Sequence, residues 1–202
     1  MDPFLITALS LAVCWVLKTR QQRHRIALLA QYLSRHRIEK NMETVTQGYL
    51  RALGEADPAR QEQVWGMLRA SEEELCLQVA RLASDFASAD PARTRVSLLP
   101  IWVPFASRLF PGFGMREAQE VHARGIRRAI ETSDSTSARE RAFAISAELF
   151  LMQHTCHWFC RSKLVASARM QSRHQTSYVQ LVRAVLPQTQ SEYLALVRRG
   201  HG

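Results

Sequence analysis

The sequence predicts an all-α protein: one N-terminal membrane-spanning helix that runs into a cytoplasmic bundle of about six to eight helices. Three observations predict it. Hydrophobic residues make up 47% of the 202 positions and recur at helical spacing. Pro and Gly are sparse, at 7 and 8, and fall mostly where helices end. No short window alternates apolar and polar residues between hairpin turns, so strands find no place. The chain divides into an anchor over residues 1–17, a basic juxtamembrane long helix over 18–54 and a helical bundle over 55–202, lengths that suit one domain plus an anchor.

The first stretch, FLITALSLAVCWVLKTRQQRHR over residues 4–25, carries no charge through Val16, and Leu17 closes the apolar run. Lys18, Arg20, Arg23 and Arg25 follow. A secretory signal needs its positive charge ahead of the apolar core and small residues at its cleavage site. Here Asp2 comes first and residues 15–18 are large, so a removed signal is set aside. The LAVC of residues 11–14 has the cysteine of a lipoprotein cleavage box, but Val13 precedes it and the basic residues are missing ahead. A span takes about 20 apolar residues for a ~30 Å hydrocarbon core, whereas residues 1–17 rise about 25 Å. Snorkelling by Lys18 and Arg20 extends the usable length. Trp15 stands where an interfacial indole is favoured, and the trailing cations place the N-terminus outside and the body inside. A core helix and an in-plane interfacial helix are the alternatives. Against them, Leu5, Leu9, Leu11, Val13, Val16 and Leu17 cover every side, where a surface helix shows a polar stripe.

Two apolar stripes follow, Ile26/Leu29/Leu33 and Ile38/Met42/Val45/Tyr49/Ala52, which predict a long helix or a helix pair ending near Gly54. The pentapeptide ADPAR occurs at 56–60 and again at 89–93. It reads as two helix starts, with Asp57 and Asp90 as N-caps and Pro58 and Pro91 at the first helical position, in preference to a structural repeat. A short helix is expected over 58–70 and a longer one over 72–88, separated at Ser71, which with Glu74 makes a capping-box pattern. Leu75, Val79, Leu82 and Phe86 form the core stripe of the second.

Residues 98–106 are uncharged, hold Pro100 and Pro104, and are bracketed by Arg93, Arg95 and Arg108. Prolines four apart break a helix. The segment reads as a buried crossover, or as an apolar wedge that dips into the bilayer with Trp102 at the interface. Residues 115–131 form an amphipathic helix, residues 132–137 a loop, and Ser137 with Glu140 a capping box. A long helix is expected over 138–169 with the stripe Ala142/Ile145/Leu149/Met152/Cys156. Another over 174–186 ends at Pro187, and a last one is capped by Thr189 with Glu192 and terminated by Gly200.

Chemistry-bearing motifs are few. His154, His157 and Cys160 are spaced three apart, so they line one helix face and are acceptable metal or haem ligands, with His122 and His174 as completing candidates. No CxxC, HExxH, CxxCH, Walker, GxGxxG or GxSxG pattern accompanies them. Neither cofactor nor catalytic activity is expected. Cys14, Cys76, Cys156 and Cys160 read as reduced thiols facing a cytosol. The net charge of +9 is layered: +6 over residues 18–40, −5 over 41–90 and +9 over 91–202. That layering disfavours a nucleic-acid binder, which more often shows one unbroken basic face; its arginines here are Arg116, Arg124, Arg127 and Arg128.

The functional expectation is a membrane-tethered interaction or assembly module of the bacterial inner membrane, an accessory subunit of a larger envelope complex. Its partners are proteins of that complex and the anionic headgroups met by Trp15, Lys18, Arg20, Arg23, Arg25 and Trp102. The alternatives are a metal- or haem-binding helical protein built on His154, His157 and Cys160, and a soluble Arg-rich nucleic-acid binder.

Overall fold

Helix starts follow the capping chemistry of the sequence. In the computed structural model, which describes residues 3–131 and 137–199, the Asp57 carboxylate accepts from the Ala59 amide at 3.0 Å and Asp90 from Ala92 at 2.8 Å, each followed by Pro at the first turn. These open α3 (Pro58–Phe86) and α4 (Pro91–Thr94). One copy of ADPAR therefore starts a helix of 29 residues and the other a helix of four, so the pentapeptide is a shared cap and no repeat. Ser137 and Glu140 close the expected capping box at the start of α7 (Ala138–Cys160).

The N-terminal segment is one helix, α1 (Pro3–Leu33), unbroken at Leu17. A turn over residues 34–37 separates it from α2 (Ile38–Gly54), so residues 18–54 form a helix pair. α2 lies antiparallel on α3: the Tyr49 hydroxyl donates to Glu72 at 2.7 Å, and Gln61 Nε2 donates to the Ala52 carbonyl at 2.9 Å. Residues 38–54 thus share the core of the body.

The break expected at Ser71 is absent, and residues 58–86 form a single helix. Val64, Leu68, Leu75, Val79, Leu82 and Phe86 are all buried on one stripe, and Glu72 occupies the position between Leu68 and Leu75. A carboxylate is tolerated there because Tyr49 donates to it and the Arg141 guanidinium lies 3.7 Å away, all three residues being buried.

Among the described residues the proline segment holds the one pair of strands in an otherwise all-α chain. β1 (Arg95–Ser97) pairs antiparallel with β2 (Gly112–Gly114), Val96 opposite Phe113. A β-carbon at Gly112 would sit against the Val96 carbonyl, so this crossing needs glycine. The short α5 (Ala106–Leu109) lies between the strands.

α6 (Met115–Glu131) matches its expected span. The helix expected over 138–169 is two. α7 stops at Cys160, Arg161 leaves helical geometry, and the Ser162 hydroxyl accepts from Val165 to cap α8 (Lys163–His174). Likewise Pro187 begins a helix instead of ending one. Ser177 and Gln180 form a capping box for α9 (Tyr178–Ala184), and Pro187 sits in the first turn of α10 (Pro187–Arg199). Thr189 and Glu192 are not caps: Thr189 is buried, and Glu192 accepts from Arg124 and Arg128. The loop expected over 132–137 and the stop at Gly200 lie outside the described residues, apart from Ser137.

The body is all-α apart from this hairpin, and three apolar clusters hold it. One joins α2, α3, α6 and α7 around Val45, Leu75, Ile126 and Leu149. A second joins the C-terminal half of α1 to the hairpin and the end of α7 through Leu29, Phe86, Phe113, Trp158 and Phe159. The third packs α9 and α10 on α6 and α7 around Leu151, Leu181 and Tyr193.

Candidate membrane-facing surface

The end of α7 and the hairpin meet α1 at its third charged turn. Arg25 Nη1 donates to the Phe159 carbonyl at 3.0 Å and Nη2 to the Arg95 carbonyl at 2.9 Å. The guanidinium also lies 5.2 Å over the Phe159 ring. A cation at the last turn of α7 meets the negative end of that helix. Burial lowers the Arg25 pKa from its ordinary value. One turn earlier, Gln22 is buried and accepts from Arg161 at 2.6 Å, and Gln21 accepts from Trp102 Nε1 at 2.9 Å. The chain between β1 and α8 is fixed at the same place: the Trp158 indole donates to the Ser97 carbonyl, and the Leu164 amide to the Pro100 carbonyl.

Every residue from Pro3 to Val16 is exposed, including Trp15, and α1 is long and apolar enough to cross a membrane by length and composition. Lys18, Arg20 and Arg23 are exposed at its base, whereas Arg25 is half-buried and held by two carbonyls. Trp102 is half-buried beside Gln21. A groove of about 440 Å³ opens between Leu17, Arg20 and Gln21 on α1 and Trp102, Phe105 and Arg108 on the proline segment. Of the residues expected at the headgroup level, Arg20 and Trp102 share this groove, whereas Arg25 faces into the body. Gln21, Gln22 and Arg161 complete a collar at the base of α1. In the sequence they read as polar residues of a solvated stretch, and no spacing signal marks them.

The His/Cys cluster has a different environment. His154 Nε2 lies 3.1 Å from the Ser167 hydroxyl, and its ring packs on Tyr178 and Trp158. Burial, with Lys163 next, lowers it to about 4; burial, with Arg169 and Arg173, lowers His157 to about 4. Cys160 is pushed up to about 11 by burial, against the pull of Arg25 and Arg161. Neutral rings and a protonated thiol belong to an apolar setting. His122 is buried against Thr155 and Tyr193, and His174 stacks on Phe150. Among the described residues no three His, Cys, Asp or Glu side chains, His154, His157 and Cys160 included, converge as metal ligands would.

The arginines of the nucleic-acid alternative are dispersed in role. Arg116 donates to the Ala89 carbonyl, Arg124 and Arg128 hold Glu192, and Arg127 lines a cleft with Glu72, Glu73, Cys76 and Glu131. The chain matches no known family model, and no curated protein and no solved structure is similar to it.

Proposed function

We propose that the protein is a single-pass, membrane-tethered helical interaction module, with α1 as its anchor, its N-terminus outside and its body in the cytoplasm. The reading carries over to a bacterial inner membrane and to an accessory or assembly role in an envelope complex. One observation carries the tether. The segment from Pro3 to Val16 is wholly exposed and apolar, while the body has three complete apolar clusters without it. An apolar helix of that length left in water is unfavourable at about 25 cal/mol per Å². Bilayer insertion removes that penalty.

Lys18, Arg20 and Arg23 are the cations this reading assigns to anionic headgroups, each adding about 1 kcal/mol near the surface. Arg25 is not among them, because its donors already face Phe159 and Arg95. The protein-binding role draws support from Leu50 and Leu53 of α2 and Met67 and Leu77 of α3, which are exposed on the acidic part of the chain. Extraction tests the tether: membranes washed at alkaline pH should keep the full-length protein, and detergent should release it. Recovery in the wash would overturn it. Co-purification from membranes in mild detergent, with Leu50→Glu and Met67→Glu as controls that abolish capture, tests the partner role.

A further inference from the structure

We propose that the segment from Ile101 to Phe110 is an interfacial wedge that sits in the headgroup layer of an anionic bilayer and seats the body against it. The inference rests on the tether reading and deepens it, naming the surface that receives this loop.

The position of the loop comes first. The Trp102–Gln21 hydrogen bond and the shared groove fix it to α1 one turn beyond Leu17. At 1.5 Å per residue, Gln21 lies about 6 Å past the end of the apolar run. The headgroup layer on one side of a bilayer is about 5–8 Å thick. The loop therefore stands where the hydrocarbon meets that layer whenever α1 spans.

Its surface suits the layer. Ile101, Phe105 and Leu109 are 56%, 54% and 72% exposed, and Phe110 joins them. Large apolar side chains clustered on one loop mark an interaction surface. Phe105 is held at φ 58°, in the left-handed region. For a bulky residue that conformation costs on the order of 1–3 kcal/mol and persists where the surroundings enforce it. Here the strain accompanies a ring left facing solvent, the reverse of what core packing would select.

The charge complements an anionic surface. The residues that meet at the base of α1 come from three stretches of sequence, 3–38, 91–116 and 149–191. Together they hold fifteen Lys and Arg and no Asp or Glu, while the remainder holds twelve against eighteen. Arg20 and Arg108 line the groove itself.

The wedge also answers the shortness of the span. Residues 3–17 rise about 22 Å against a ~30 Å hydrocarbon core. A span that is too short thins the bilayer or draws flanking residues in. Trp102, Phe105 and Leu109 continue the apolar surface past Leu17, so the deficit falls on side chains that tolerate it.

The test uses the full-length protein in vesicles of phosphatidylcholine with phosphatidylglycerol. An environment-sensitive fluorophore is placed at Leu109→Cys, at Ile101→Cys, at native Cys14 in the anchor, or at Met67→Cys, each in a protein whose other cysteines are replaced by Ala so that one thiol is labelled. Met67 lies on α3 about 29 Å along the axis from Phe86, away from the collar. Lipids with nitroxides near the headgroup serve as quenchers. Positions 101 and 109 should be quenched about twofold more than position 67, and less without phosphatidylglycerol. Quenching at position 14 with none at 101 and 109 overturns the wedge and leaves the tether standing. No quenching at 14, 101 or 109 overturns both. Helical circular dichroism of each labelled variant establishes that it is folded.

Discussion

Arg23 and Arg25 stand two positions apart in one basic cluster, yet the structure gives them different work. Replacing Arg25 by Gln removes the hydrogen bonds to the Phe159 and Arg95 carbonyls and the contact over the Phe159 ring. A hydrogen bond from a charged donor contributes about 1.5–3 kcal/mol, and the half-buried Phe159 bond is set at the low end. The Arg95 bond is open to solvent and is discounted to about 0.5–1 kcal/mol. The ring contact adds about 0.5–1 kcal/mol. The sum is about 3 kcal/mol, which for a domain of this size lowers the melting midpoint by about 6–12 °C. Arg23→Gln changes an exposed side chain and should alter stability by no more than about 0.5 kcal/mol. Thermal unfolding of the full-length variants in mild detergent, followed by far-ultraviolet circular dichroism, reads the difference. Equal midpoints for the two variants would refute the assignment of Arg25 to the body, and with it the separation of that residue from Lys18, Arg20 and Arg23.

Four further outcomes follow from buried groups. Burial pushes Glu148 up to about 7 from 4.5. Between those values the unfolded chain releases its proton first, so stability falls as pH rises and the loss is complete above about 7. Glu148→Gln should therefore gain about 3 kcal/mol relative to the native protein between pH 4.5 and 8, read by urea unfolding at each pH; a constant gap contradicts this. The histidines have the opposite sign: burial holds His122, His154 and His157 at about 3, 4 and 4, so stability falls as pH drops from 6.5 toward 4, and a flat acid limb would deny their burial. Gly125→Ala places a β-carbon against the Glu148 carboxylate and Thr189 and should cost about 2 kcal/mol by denaturant unfolding, despite the better helix propensity of Ala. Glu72→Gln removes the carboxylate beside buried Arg141 and should cost about 3 kcal/mol, a larger loss than Glu73→Gln on the exposed neighbour.

Where helices start was largely legible, and where they stop was not. Asp57, Asp90 and Ser137 act through bonds to amides two or three residues away, so sequence spacing contains the whole interaction. Ser71 has the same local pattern but fails to cap, because α2 lies along the stripe from Val64 to Leu82 and holds that helix continuous. The break after Cys160 depends on Ser162 and on the Leu164 amide reaching Pro100, sixty-four positions away. The hairpin was hidden for a related reason. Its strands are three residues each, too short for alternation to register, and they are stabilised by Trp158 across the fold.

The site divides along the same line. An exposed apolar helix followed by cations is a property of composition, and it is visible in residues 4–25 alone. Which of those cations the body takes up is a property of packing. Arg25 differs from Arg23 only because the end of α7 presents a carbonyl and a ring to it. The spacing of His154, His157 and Cys160 places them on neighbouring turns of α7 but says nothing of what approaches that face. Ser167 of α8 and Tyr178 of α9 come to His154, and they supply an aromatic and hydroxyl surround where a metal needs further ligands. Gln21 and Gln22 carry the sharpest lesson. Two uncharged amides among arginines look like the least informative positions of the basic stretch, yet they receive Trp102 and Arg161 and so determine which loop stands beside α1. Losing the Gln21 acceptor would free the Trp102 indole without touching charge or apolarity, which makes Gln21→Ala the most selective way to detach the wedge from the helix it flanks.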